Sequence, residues 1–373
     1  MNFLDEGASR FWEYIFGEID AENHRLEEFL KPENSAAMKE GNFLMILRRW
    51  NSYTPAMVER PEVSRGGGYF LVWNGKGLVI DPGFNFLHNF RERGFLLHDI
   101  DAILITHAHI DHCVDLESLM TLLYEYNERR CKNGEPTKTF QLFMNSTAMK
   151  KCAGWLSLLP TLYENVPAGS NAKEIELARV HPMEPGDTKL FPCNGSPVLK
   201  FKITRCKHKE VTGSGYATGL IVELIEGGNV VSTVIFTGDT GWEDNIQQQY
   251  VNGCDLLVAH LGGIQSQEIF GQPYKYHLGF IGIVRMIQNI TPKMVVISEF
   301  GEELATTRSR IVDMIRRSVR HNRCFNGDIG TKVSLPEPEL MCWNQGCLRL
   351  AEPEEVREPG GIVKYLCLQH RLS

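Results

Sequence analysis

Ala102-Ile103-Leu104-Ile105-Thr106-His107-Ala108-His109-Ile110-Asp111-His112 is the stretch on which the reading turns. Its first five residues are aliphatic and β-branched, the pattern of a buried strand. The run then ends in three imidazoles and a carboxylate within six residues. With twelve histidines in 373 residues, such a cluster arises by chance on the order of once in a thousand windows. Imidazole and carboxylate suit zinc, iron or manganese. In an extended loop His107 and His109 project to one side and can share one ion. Asp111 and His112 follow the turn and reach a second.

Around this stretch lie short apolar runs broken by Gly, Asp and Pro. Residues 43–49, 69–73, 77–81, 140–144, 199–206, 217–225, 230–238, 255–259 and 294–298 read as strands. Helical patterns occupy about 85–94, 115–128, 147–158, 278–289 and 302–320. Consecutive strands followed by strands alternating with helices predict α/β sheets covered by helices. Residues 1–40 read as a helical extension with Phe11, Trp12, Ile15 and Phe16 on one face, packed by default against the domain. Residues 41–335 form the main domain and 336–373 a cysteine-containing tail.

The net charge of −7 excludes a global basic field for nucleic acid, though not a local patch. No apolar run approaches the ~20 residues of a membrane span. The first residues are acidic and amphipathic rather than basic and then apolar, so a cytoplasmic location with reduced thiols is expected.

The string HAHIDH (107–112) resembles the HxHxDH signature of the metallo-β-lactamase superfamily. Its flanks resemble that family too. GKGLVIDPG places Asp81 at a strand end, VIFTGDTG carries Asp239, and RCKHKEVTGSGYATGL carries His208 before Gly215-Tyr216, as in the tRNase Z-like branch. The resemblance spans residues 43 to 305 and implies an αββα sandwich holding two divalent metal ions. One would take His107, His109 and His208, the other Asp111 and His112, with Asp239 bridging them around a hydroxide. Asp81 would support the ligand loop by hydrogen bonding. Where that branch ends in Thr-His-Phe, this chain has Ser298-Glu299-Phe300. Glu299 would ligate through oxygen and favour manganese or iron over zinc at the second position. His277, before a helix, stands where the branch has a proton donor to the leaving oxygen. His260 stands where the branch has a catalytic carboxylate and takes a supporting role.

The expected activity is that of a metal-dependent hydrolase, a phosphodiesterase or nuclease acting on a nucleotide or single-stranded nucleic acid. Lys207, Lys209 and Lys275 near the histidines suit an anionic phosphodiester. The helical pattern 302–320 carries Arg308, Arg310, Arg316, Arg317 and Arg320; the last three, with His321 and Arg323 at its C-terminal end, complement the helix dipole or touch nucleic acid. Only thirty residues separate His208 from Asp239, too few for the arm with which tRNase Z proteins hold tRNA. The alternatives are an acyl hydrolase for lactones or thioesters, and a non-catalytic metal-binding module. The absence of a Thr-Pro-Gly-His string weighs against the acyl hydrolase. Relatives that dimerise leave a homodimer open.

In the tail, Cys342 and Cys347 form C-x4-C, and Cys367 and His370 form C-x2-H. Two such pairs with a spacer outline a structural zinc site, with Cys324 as a spare ligand.

Overall fold

A computed structural model of the chain describes residues 6–50, 66–157, 161–163, 174–210, 215–244, 246–250, 253–304, 306–357 and 362–372. Residues 211–214 of the string after His208 lie outside the described residues, as do the first five of the helical extension.

Two sheets face each other. The first has the strand order Leu340–Met341, Lys332–Ser334, Phe43–Ile46, Tyr69–Trp73, Lys76–Ile80, Ala102–Ile105, Phe140–Asn145 and Ala178–Met183. The second runs Cys324–Asn326, Met294–Ser298, Leu256–His260, Asn229–Phe236, Tyr216–Glu226, Leu199–Lys209 and Thr188–Phe191. Strands covered on both faces should be apolar throughout, and the central ones are: Ala102–Ile105, Leu256–His260 and Met294–Ser298 are buried along their whole length. Ala102 and Leu104 enter the core between the sheets, with Tyr69, Leu71, Phe201, Val222, Val258 and Val296. Their neighbours Ile103 and Ile105 point to an outer core under the helices Phe86–Glu92, Leu116–Lys132 and Ser146–Leu156. On the far side, Leu257, Val295 and Ile297 meet the helices Phe280–Ile290 and Arg308–Val319. The layers are therefore αββα.

Short strands missing from the sequence reading appear at Ala178–Met183, Thr188–Phe191, Cys324–Asn326, Lys332–Ser334 and Leu340–Met341, all at sheet edges except Lys332–Ser334. The last of these pairs with Lys332–Ser334, so the first sheet continues past residue 335 before the tail turns away. No helix among the described residues is long and apolar enough to cross a membrane.

One expectation needs correction. The helix Glu6–Phe29 does not pack its aromatic face on the domain: Phe11, Trp12 and Phe16 are 58%, 43% and 57% exposed. Only its C-terminal end is anchored, where Phe29 and Leu30 join the outer core. Arg308 is buried, paired with Asp328 at 2.6 Å and stacked over Trp50. Arg316 donates to the Cys324 carbonyl and pairs with Asp313.

What the fold sets up is a row of strand ends. Lys76–Ile80 and Ala102–Ile105 run parallel, as do Asn229–Phe236, Leu256–His260 and Met294–Ser298. Asp81, His107, Asp239, His260 and Glu299 all lie at or just beyond the C-terminal ends of these strands, the edge where open α/β sheets place ligands.

Candidate metal centre

Three of the central imidazoles, His107, His112 and His208, spend one ring nitrogen on an outer partner and turn the other inward, while His109 Nδ1 lies 3.0 Å from His208 Nε2. His107 Nδ1 lies 3.1 Å from Thr106 Oγ1, whose hydroxyl donates to Asp81. His112 Nδ1 donates to Asp81 Oδ2 at 2.9 Å. His208 Nδ1 donates to the Tyr276 carbonyl at 3.0 Å. Asp81 also accepts the Thr106 amide at 2.7 Å, so one carboxylate fixes both the loop's backbone and two of its rings. This outer ring of hydrogen bonds sets the orientation and basicity of a metal-binding imidazole.

The inward atoms converge on Asp239. His107 Nε2 and His208 Nε2 lie 3.9 Å from its Oδ2, and His112 Nε2 lies 3.6 Å from it. His277 Nδ1 is 3.8 Å from the same oxygen. His260 Nδ1 is 3.4 Å from Asp239 Oδ1 and 3.1 Å from Glu299 Oε2. Three donor groups share Asp239: His107, His109 and His208; Asp111 and His112; His260 and Glu299. Within each group the facing atoms lie inside 4.8 Å of one another. Every central residue named from the sequence is therefore brought to one place. His260 comes closer than a supporting position requires, because it faces two of the carboxylates directly.

The site fits divalent cations on two observations. The first is that buried polar atoms here are orphaned: His107 Nε2, His112 Nε2 and His277 Nδ1 have no hydrogen-bond partner. Such atoms are costly unless something else is bound to them. The second is charge. Among the described residues, Asp81, Asp111, Asp239 and Glu299 are buried beside a single buried guanidinium, that of Arg48. Dry carboxylates in that excess call for bound cations. Burial opposes a charge on His260, but Glu299 and Asp239 raise its pKa. His107 behaves oppositely: burial and then His112 push it well below its usual value. Burial and then His208 bring His109 down to about 4. Both rings are thus in the neutral form that binds metal.

Arg48 and Tyr69 escaped the sequence reading. Arg48 donates to Glu299 Oε1 at 2.9 Å and to the Asp111 carbonyl at 2.7 Å, and lies 3.3 Å from the Asp111 carboxylate. Tyr69 donates to Glu299 Oε1 at 3.0 Å. Together they occupy one oxygen of Glu299 and leave the other facing the centre, 3.1 Å from His260 Nδ1. An arginine pair closing the apolar run 43–49 was the available signal. Glu210 braces the histidine loop from the opposite side, accepting the Ala108 amide and the Thr147 hydroxyl.

Glycine permits two close approaches that shape the site. A Cβ on Gly83 would fall 1.8 Å from the Asp111 carbonyl, and one on Gly241 1.8 Å from that of Lys275. Without them neither the Asp81 turn nor the Asp239 loop could close on the centre.

Beside His208 opens a cleft of about 810 Å³ whose lining includes Arg205, Lys207, Lys209, Tyr216 and Lys275. Arg205 stacks 3.7 Å over the Tyr216 ring, and Lys207 pairs with Glu243 at 2.9 Å.

In the tail, Cys342, Cys347, Cys367 and His370 present a separate set of facing donors. Cys324 is not among them. It is buried in its strand, where desolvation lifts its thiol to about 12.

A family model described as "Beta-lactamase superfamily domain" matches residues 77–298. Ribonuclease Z of Streptomyces avermitilis is 24% identical over 203 residues, 51% of this chain and 66% of that protein, just under two thirds of its length. Among solved structures, the metallo-beta-lactamase fold protein YhfI from Bacillus subtilis superposes with a TM-score of 0.55 at 12% identity, covering 78% of this chain and 98% of that one. A diphosphatase from the PhnP family gives 0.53 at 15%, covering 80% and 99%. With more than half its length matched and the sandwich in place, the chain belongs to the beta-lactamase superfamily, its sequence likeness lying toward the tRNase Z-like branch.

Proposed function

We propose that the protein is a two-metal phosphodiesterase or nuclease acting on a nucleotide or single-stranded nucleic acid. The observation that carries the reading is the sharing of Asp239 by three donor groups, two of which contain orphaned buried atoms. His107, His109, His208 and Asp239 would hold one cation. Asp111, His112, Asp239 and the inward oxygen of Glu299 would hold the other. The hard oxygens of the second set favour manganese or iron there, and the imidazoles of the first favour zinc. Bound cations supply acidification of water and stabilisation of negative charge at phosphorus.

The chain's own groups do the rest. Arg205, Lys207, Lys209 and Lys275 make the cleft beside His208 attractive to a phosphate. Tyr216, with Arg205 stacked on it, offers a flat face for a base. His277 has its Nδ1 free beside Asp239 and is the candidate proton donor to the leaving oxygen. Burial lowers its pKa. A phosphate arriving next to the ring offsets that loss, so the proton is acquired with the substrate. His260 holds Glu299 and Asp239 in place through its Nδ1, with its other nitrogen on Tyr69.

The test is hydrolysis of a generic phosphodiester, with a lactone and a thioester alongside, by zinc- or manganese-loaded protein. Phosphodiester turnover lost in His109→Ala is expected. Acyl turnover without phosphodiester turnover would overturn the reading.

A further inference from the structure

In the tail, Cys342 Sγ and Cys367 Sγ lie 3.2 and 3.4 Å from His370 Nδ1, and Cys347 Sγ lies 3.8 Å from Cys367 Sγ. All three thiols are free. Three sulfurs and one imidazole inside 4.8 Å of one another make a closed donor set of the kind that takes structural zinc.

The cluster closes a segment that reaches back to the centre. Between Cys347 and Cys367 the chain forms a small hairpin, Glu355–Arg357 with Val363–Tyr365. Tyr365 is buried, and its hydroxyl bonds to both backbone groups of Asn326. The Val363 amide donates to Asp328 Oδ2 at 2.8 Å. Asp328 is fully buried, and its other oxygen accepts Arg49 Nε at 2.8 Å. Arg49 in turn is tied through its carbonyl to the Phe300 amide at 3.2 Å. Arg49 follows Arg48, and Phe300 follows Glu299, so the brace ends on both partners of the central ion pair.

We propose that Cys342, Cys347, Cys367 and His370 bind zinc, and that the metal-closed tail is a clasp that positions Arg48 against Glu299 through Asp328 and Arg49. The positioning half rests on the two-cation reading of the centre; the metal site does not. A short tail cannot build a core of its own, and a structural metal supplies the missing cohesion.

The experiment uses the full chain, stripped by chelator and refilled with cobalt(II). None of the central donors is a sulfur, so a thiolate-to-cobalt charge-transfer band reports the tail alone. The wild type shows the band. Cys367→Ser and His370→Ala lose or weaken it, and His370→Cys retains it. In the same proteins hydrogen exchange at the Phe300 amide rises about tenfold in His370→Ala, equivalent to roughly 1.4 kcal/mol of local opening, and returns to the wild-type rate in His370→Cys. A wild type without the band overturns the site, whatever the centre binds. A band accompanied by unchanged Phe300 exchange in His370→Ala overturns the clasp.

Discussion

Glu299 and Asp81 adopt backbone angles of φ 54° and 50°, a left-handed conformation that disfavours residues with a Cβ. Both are buried at a strand end; Glu299 aims its carboxylate into the centre, and Asp81 holds the histidine loop from behind. The strain is held because each carboxylate is tied from several sides: Asp81 by Thr106 and His112, Glu299 by Arg48 and Tyr69. Asp81→Asn keeps the shape but weakens the anchor of His112, so metal titration should show affinity reduced by about 10- to 100-fold. Arg48→Leu leaves Glu299 and Asp111 without their buried counter-charge. Urea denaturation of the metal-free variant should show a loss of about 3–5 kcal/mol, and a loss under about 1 kcal/mol would mean the ion pair is unimportant. The glycine-flanked Asp81 was legible in the sequence because its neighbours spell out a strand end. Arg48 was not, because its partners Asp111 and Glu299 lie 63 and 251 residues away and only the fold assembles them.

Among the elements, the strands that feed the site were the readable ones. Ala102–Ile105, Leu256–His260 and Met294–Ser298 are buried on both faces, so their sequences are unbroken aliphatic runs. Edge strands such as Ala178–Met183 carry a mixed burial pattern with exposed and half-buried positions, and nothing in such a sequence separates strand from loop. The same contrast sets the stability of the parts. Leu104 is fully buried between the sheets, and Leu104→Ala should cost about 2–5 kcal/mol in urea denaturation. The helix Glu6–Phe29 was recognised from its periodic aromatics, but periodicity cannot say what covers them. Replacing Phe11, Trp12 and Phe16 together by Ser should shift stability by no more than about 0.5 kcal/mol per residue, since these side chains already face solvent. A larger loss would place the stripe inside the folded unit.

For the molecule as a whole, stability should respond to acid through His98. The ring accepts from the Tyr126 hydroxyl, and burial, followed by the charges of Lys138 and Arg130, brings its pKa down to about 4. The unfolded value is about 6.5, so between these two values the unfolded chain binds the extra proton. Stability from this group is complete above about pH 6.5 and is lost as pH falls toward 4. His98→Asn, which can still accept the Tyr126 proton, should therefore show a shallower decline in urea midpoint across that window than the wild type. An equally steep decline in the variant would exclude His98 as a contributor. At this scale the sandwich and the Asp239-centred cluster followed from a few strand-end motifs, while the return of the tail through Asp328 toward Arg49 depends on contacts no local pattern records.

The central claim is that Asp239 joins two cation sites, and metal content tests it most directly. Zinc and manganese bound per chain would be measured after equilibration and desalting for the wild type and for Asp239→Ala. The account predicts about three cations in the wild type, two in the centre and one in the tail, and about one in the variant. A variant that keeps the wild-type content would contradict the shared centre and remove the basis for the phosphodiesterase reading.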